Sequence, residues 1–311
     1  DSFAETSLTQ RINFLRGIQK QLNLNKDEII KIYQMESALS VGRAKGEFQR
    51  TIGQIQEFIT LLNVGSFIQP VINTGGPDLR KMFHPIGPIA VFGASNFPLA
   101  FSTAGGDTIS AFAAGCPVIV KAHPYHAGTS ALVAQAIIDA IDLCGLPAEI
   151  FSHLGGMSHN IGSELVNHPS LKGVGFTGSF IGGKALYDKA QKRKEPIPVF
   201  AEMGSVNPIF ITEKRLETDK NLAETIAQSI VLGTGQFCTN PGVIIFCDSK
   251  RKSDIVLEVS QKFKQMDLDP MLHRNIEENY LKKIEELKGV EELNIFSQPE
   301  NIAVLALISA S

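Results

Sequence analysis

Apolar residues change rhythm along this chain. Phe48, Ile52, Ile55, Ile59 and Leu62 recur at spacings of four and three, the period of one helix face, and predict a helical N-terminal region. Upstream, Asn25, Lys26, Asp27 and Glu28 have the form of an N-cap with a carboxylate three residues on. Between 64 and 87 the pattern breaks: Gly65, Pro70, Gly75, Gly76, Pro77, Pro85 and Gly87 punctuate short apolar pieces and predict a loop or hairpin arm. From Pro88 onward strand-length apolar runs alternate with helix-length segments. They read PIAVFG, a small-residue helix over 99–114, PVIVK, a helix over 128–144 stopped by Gly145, EIFSHLG, a short helix near 160, GVGFTG, a helix over 180–192, and PIPVFAE.

This alternation predicts an α/β fold, a doubly wound five-stranded parallel sheet covered on both faces. Ligands of such sheets gather at the carboxyl ends of the strands. The residues there are Ser95 and Asn96 after the first strand, Lys121 after the second, Gly178 and Ser179 after the fourth, and Glu202 after the fifth. Each has an ordinary reading: Asn96 as a helix cap, Lys121 as a solvated strand end, Glu202 as a surface carboxylate. Their recurrence at the ligand-facing positions points instead to a site. GVGFTG matches the dinucleotide fingerprint GxGxxG, but that fingerprint follows a strand, whereas these glycines lie inside one. The match is accidental, although Gly178 and Ser179 open a helix whose N-terminus can receive polar groups of a cofactor.

Composition narrows the ligand. A chain of 311 residues, 43% hydrophobic and without a run of eighteen apolar residues, predicts a soluble protein of two domains. The expected division is a cofactor domain over 1–201, with its N-terminal helices and the 64–87 arm, and the first part of an α/β catalytic domain over 202–311. A formal charge of −3, evenly scattered, supplies no field for nucleic acid or an anionic membrane, so a small neutral or mildly charged ligand is expected. The four cysteines show no CxxC spacing, which argues against a disulfide framework or a zinc site and for a reducing, cytoplasmic setting. Cys116 in AAGCPVIV and Cys247 in VIIFCDS suit a small buried hydrophobe, and Cys144 at a helix end reads as structural. Cys238 differs, because in GTGQFCTNPG little can pack on it.

The runs GPIAVFGASNFPLAF (87–101), VIVKAHPYH, GFTGS, AEMGSVNP and GQFCTNPG, in that order, resemble the aldehyde dehydrogenase superfamily over nearly the whole chain. The resemblance is strongest to the branch oxidising α-ketoglutarate semialdehyde, with bacterial fatty-aldehyde dehydrogenases nearby. It implies Cys238 as nucleophile, Asn96 as oxyanion-hole amide and Glu202 as general base. Gly93, Lys121, His123, Gly178, Ser179 and Met203 would touch the cofactor. The chemistry explains these residue types: an aldehyde has no leaving group except hydride, so a thiolate must first make a tetrahedral adduct from which hydride departs. Three residues after Lys121, where many NAD-using members carry a carboxylate for ribose hydroxyls, stands Pro124. NADP is therefore the expected cofactor, with NAD also accepted, and the protein is expected to be a homo-oligomer when full length.

Other readings stay open. They are a fatty or medium-chain aldehyde as substrate, acyl transfer to coenzyme A, against which Glu202 argues because such enzymes generally lack that base, and an inactive piece retaining only the fold, whose expected mark, loss of Cys238, Asn96 or Glu202, is absent. A Cys/His hydrolase is disfavoured by the absence of a matching signature around Cys238, and a metal site at His123 and His126 by a tyrosine-bearing loop that supplies no obvious carboxylate. The run from Ile302 to Ile308 is wholly apolar and predicts a buried segment on which a continuation or partner packs. The chain is thus expected to be part of a longer protein, with little activity alone.

Overall fold

The computed structural model describes residues 2–247, 251–290, 293–297 and 307–310. Two compact units divide the chain, Asp1–Met203 and Gly204–Ser311.

The first unit opens with three helices, α1 (Leu8–Leu24), α2 (Lys26–Ser37) and α3 (Val41–Val64). A capping box starts α1: Ser7 Oγ accepts the Gln10 N–H at 3.2 Å while Gln10 Oε1 accepts the Ser7 N–H at 2.9 Å. Asn25 does occupy the N-cap position of α2, but its side chain makes no cap bond. Its Nδ2 instead donates back to the Gln21 carbonyl at 3.0 Å, because only one residue separates α1 from α2. Phe48, Ile55, Ile59 and Leu62 of α3 are buried as the periodicity requires. Gly65, with φ +71°, ends α3 in the left-handed conformation that favours glycine. The punctuated stretch beyond it forms a hairpin of β1 (Val71–Asn73) and β2 (Leu79–Lys81), exposed throughout and pairing Val71 with Lys81.

Then comes the repeating part: β3 (Ile89–Phe92), α4 (Gly106–Ala114), β4 (Val118–Lys121), α5 (Ala127–Leu143), β5 (Phe151–Leu154), α6 (His159–Asn167), β6 (Gly173–Thr177), α7 (Phe180–Gln191) and β7 (Val199–Glu202). The five strands are parallel and ordered β5-β4-β3-β6-β7, so the winding direction reverses between β3 and β6. Gly173 and Gly175 lie within β6, which excludes a phosphate-binding turn at GVGFTG. Ala90, Val174, Val166, Leu171, Ala190 and Ile197 form one core, joining the sheet to α6 and α7. Helices α4 and α5 pack with α1, α2 and α3. There Phe3, Phe14, Phe112 and Phe151 meet edge to face, with Phe14 and Phe112 centroids 5.0 Å apart.

One predicted helix is shorter than expected. Residues 99–105 are turns, and α4 begins only at Gly106. The N–H groups of Leu99 and Ala100 are taken by the buried carboxylate of Glu47 on α3, at 2.8 and 3.0 Å, so this segment folds around a partner from elsewhere in the chain.

The second unit pairs β8 (Pro208–Ile211) in parallel with β9 (Val243–Phe246), joined through α8 (Glu213–Thr218) and α9 (Leu222–Val231). Next are α10 (Lys252–Gln265), α11 (Arg274–Lys288) and the antiparallel pair β10 (Leu293–Ser297) and β11 (Leu307–Ala310). Leu216, Ile226, Ala227, Ile255, Val259 and Phe263 make its core. In the apolar run ending at Ile308, residues 302–306 lie outside the described residues, while Leu307 and Ile308 belong to β11. Among the described residues no helix is long and apolar enough to cross a membrane.

Candidate active site

Register fixes where the first unit presents its polar groups. Phe92 lies opposite Lys121 on one side and Phe176 on the other, and Thr177 lies opposite Glu202. The segments leaving β3, β4, β6 and β7 therefore emerge along one edge of the sheet. They carry Gly93, Asn96, Lys121, His123, Gly178, Ser179, Glu202 and Met203.

The surroundings of these residues differ. A Cβ on Gly93 would lie 2.7 Å from Ser102 Oγ and 3.0 Å from its Cα, so only glycine lets the chain fold back after β3. Asn96, half-buried, sits in the turn that follows. Lys121 ends β4, and its ammonium donates to the Ala122 and Gly156 carbonyls, both at 2.7 Å. Burial holds its pKa below the ordinary lysine value. His123 Nδ1 accepts the Tyr125 N–H at 3.2 Å, and Pro124 begins the short turn between β4 and α5. Ser179 caps α7, accepting the Gly182 N–H at 3.2 Å, and the first turn of that helix contains no acidic residue. Gly178 N–H donates to the Glu202 carbonyl at 3.0 Å, tying the ends of β6 and β7. Glu202 is exposed as the last residue of β7, and Met203 packs against Gly183, where a Cβ would lie 2.7 Å from its sulfur. Helix-end amides, a hydroxyl and an ammonium on one rim are the donor set that a phosphate-bearing, polyhydroxyl ligand requires.

Two histidines are used inside the first unit. His126 is buried and its Nε2 bonds the Ala94 carbonyl at 2.8 Å, while His153 Nε2 bonds Ser130 Oγ at 2.8 Å. Burial lowers the pKa of both, aided at His153 by the charge of Lys121. The neutral His126 tautomer protonated at Nε2 satisfies that geometry.

Cys238 lies in the second unit, half-buried, beyond three consecutive left-handed residues: Gly233, Thr234 and Gly235 at φ +60°, +56° and +72°. Glycine serves at 233 for a further reason, since a Cβ would lie 2.4 Å from the Phe237 ring. Thr234 pays about 1–2 kcal/mol for this conformation, and its hydroxyl donates to the Asp269 carbonyl at 3.0 Å. Gln236 bridges the Gly233 carbonyl at 3.1 Å and the Leu272 N–H at 3.0 Å. Asn207, itself left-handed at φ +47°, donates through Nδ2 to the carbonyls of Cys238 at 2.6 Å and Asn240 at 2.9 Å. The Ser205 hydroxyl also donates to the Cys238 carbonyl. The backbone of the cysteine is thereby fixed while its thiol is left partly open. Of the other cysteines, Cys116 is buried and Cys144 half-buried; Cys247 is exposed, contrary to the sequence expectation, because it stands one residue beyond β9.

Glu47, His126, Ser205 and Asn207 are not evident as site-supporting residues in the sequence. Glu47 does leave one trace: it occupies the buried phase of α3, four residues before Thr51 and eight before Ile55, where an apolar residue belongs. Asn207 lies within AEMGSVNP, but its contact with Cys238 spans 31 positions.

Residues 1–293 match the sequence model of the Aldehyde dehydrogenase family. Among curated proteins, the chain is 42% identical over 305 residues to alpha-ketoglutaric semialdehyde dehydrogenase 2 of Azospirillum brasilense, covering 94% of the chain and 58% of that protein. It is 44% identical over 252 residues to the alpha-ketoglutaric semialdehyde dehydrogenase of Acinetobacter baylyi, covering 78% and 48% respectively. The chain thus spans about half the length of these curated relatives. A crystal structure of an aldehyde dehydrogenase from Bartonella henselae shares the fold at a TM-score of 0.82 and 18% identity, over 96% of this chain and 62% of that one.

Proposed function

We propose, on the premise that this chain belongs to the aldehyde dehydrogenase family, that the whole protein oxidises an oxo-acid semialdehyde, α-ketoglutarate semialdehyde in the first instance, to the carboxylate with NAD(P). The observation that carries this reading is Cys238: a half-buried thiol behind three left-handed residues, its carbonyl pinned by Asn207 and Ser205. A cysteine kept only to fill space needs neither the strained backbone nor the opening.

The Cys238 thiolate adds to the aldehyde carbon to form a thiohemiacetal. The Asn96 amide and the Cys238 backbone N–H serve its oxyanion, each such donor being worth about 10²–10³ in rate. A nicotinamide cofactor, when bound, accepts the hydride that leaves the adduct. Glu202 then takes a proton from the water that attacks the resulting thioester, releasing the acid and regenerating the thiol.

Lys121, Ser179 and the amide end of α7, with Gly93, His123, Gly178 and Met203 beside them, would hold the cofactor. Pro124 supports acceptance of NADP in preference to NAD, since it places no carboxylate against a 2′-phosphate. The whole protein acts as a cytoplasmic homo-oligomer in this reading.

Cysteine replacement in the whole protein tests the assignment. Cys238→Ala is expected to abolish turnover, a loss of at least about 10⁴-fold, while Cys116→Ala keeps the chemistry. Full dehydrogenase activity in Cys238→Ala would sink the proposal.

A further inference from the structure

Helix α3 presents one stripe of charge to the turn that carries Asn96. Arg43, Glu47 and Arg50 stand at spacings of four and three, on one helix face. The Arg43 guanidinium lies over the Phe97 ring at 4.5 Å and Arg50 over the Phe101 ring at 4.8 Å. Between them Glu47, only 1% exposed, accepts the N–H groups of Leu99 and Ala100 through Oε1 at 2.8 and 3.0 Å. Its Oε2 accepts the Tyr33 hydroxyl at 2.7 Å and lies 3.4 Å from Arg43. On the other flank His126 Nε2 bonds the Ala94 carbonyl at 2.8 Å. Asn96 is therefore bracketed: two residues before it the carbonyl is held, and three and four residues after it the amides are held.

A buried carboxylate is a costly way to satisfy two backbone N–H groups, which more backbone hydrogen bonding could do. The cost is reasonable where the loop must keep one geometry. Resting on the reading of Asn96 as an oxyanion donor, we propose that Glu47 is a positioning residue, which holds the turn at Leu99 and Ala100 so that the Asn96 amide keeps its place when charge develops on the substrate oxygen. Glu47 lies among buried side chains of the N-terminal helices and acts through the loop alone. A misplacement of one ångström at such a donor costs about 10²-fold in rate.

The test is a double-mutant cycle in the whole protein, read as the single-turnover rate of cofactor reduction with α-ketoglutarate semialdehyde. Asn96→Ala alone is measured first; an unchanged rate there removes Asn96 from the oxyanion role, separately from anything at Glu47. With Asn96 present, Glu47→Ala is expected to slow reduction by about 10- to 100-fold while the dissociation constant of the cofactor stays unchanged. In the Asn96→Ala background the same substitution should cost less than about threefold, because the residue it positions is gone. Glu47→Gln, which keeps an oxygen for both amides, should restore the rate to within about threefold. If Glu47→Ala does not fold, Glu47→Asp, which withdraws the carboxylate by one methylene, enters the same two-background comparison. An equal fractional loss in both backgrounds, or none with Asn96 present, would overturn the proposal and leave Glu47 as part of the core.

Discussion

The loop bearing Asn96 and the loop bearing Cys238 are both held in one conformation, by opposite means. The first is shaped by buried side chains that reach it from far along the chain: Glu47 at Leu99 and Ala100, His126 at Ala94. The second is shaped chiefly by its own backbone, with left-handed residues 233–235, and by Asn207 and Ser205 at the cysteine carbonyl. A charged clamp needs a dense core to exclude water, and the first unit supplies one in its phenylalanine cluster and three N-terminal helices. A loop set by its own φ values needs less burial. In the second unit Phe210 and Ile245 remain exposed on the strands beside that loop.

Three changes press on this contrast. The largest is Phe112→Ala, which empties the centre of the aromatic cluster and should cost the first unit about 3–5 kcal/mol. Hydrogen exchange should accelerate at Ala94, Leu99 and Ala100 and stay unchanged at residues 233–240. Equal acceleration in both loops would break the distinction. Next, Asn207→Ala removes the amide at the Cys238 carbonyl and should lower turnover by about 10²-fold with protection in the first unit unaltered. Full activity in this variant would show that the left-handed run and the Ser205 hydroxyl suffice without it.

The smallest effect is set by pH. Burial lowers the pKa of His126 below 6.5, so the folded chain resists a proton that the unfolded chain accepts. Stability of the first unit is complete above that value and falls as pH drops below it, by at most about 1.4 kcal/mol per pH unit for this group. His153, also lowered, adds a slope of the same sign. His126→Gln keeps a donor for the Ala94 carbonyl and should flatten the profile between pH 7 and 5. An unchanged slope would place the acid sensitivity elsewhere.

The same contrast separates what the sequence reveals from what it hides. The five strands are legible because each apolar run is bounded by glycine or proline and the first four are each followed by a helix-length segment. Cys238 is legible because its special conformation is written in its own neighbours, Gly233, Gly235 and Gly242. The turn over 99–105 is not, since PLAFSTAGGDT has the small residues of a helix and the carboxylate that unwinds it lies some fifty positions away. Asn25 shows the same limit on a shorter scale: its position at a helix start is legible, but the carbonyl of Gln21 captures its amide. Local rules find the residues proposed to do chemistry, and packing decides which residues hold them.

The central claim, that Cys238 carries the acyl group and Glu202 releases it, is tested most directly by rapid quench of Glu202→Gln in the whole protein with cofactor and α-ketoglutarate semialdehyde, followed by mass spectrometry of the cysteine peptides. The account predicts one burst of reduced cofactor per active site and an acyl adduct on the peptide containing Cys238. Steady turnover at the unsubstituted rate, or an adduct on Cys116, Cys144 or Cys247 in place of Cys238, would contradict it.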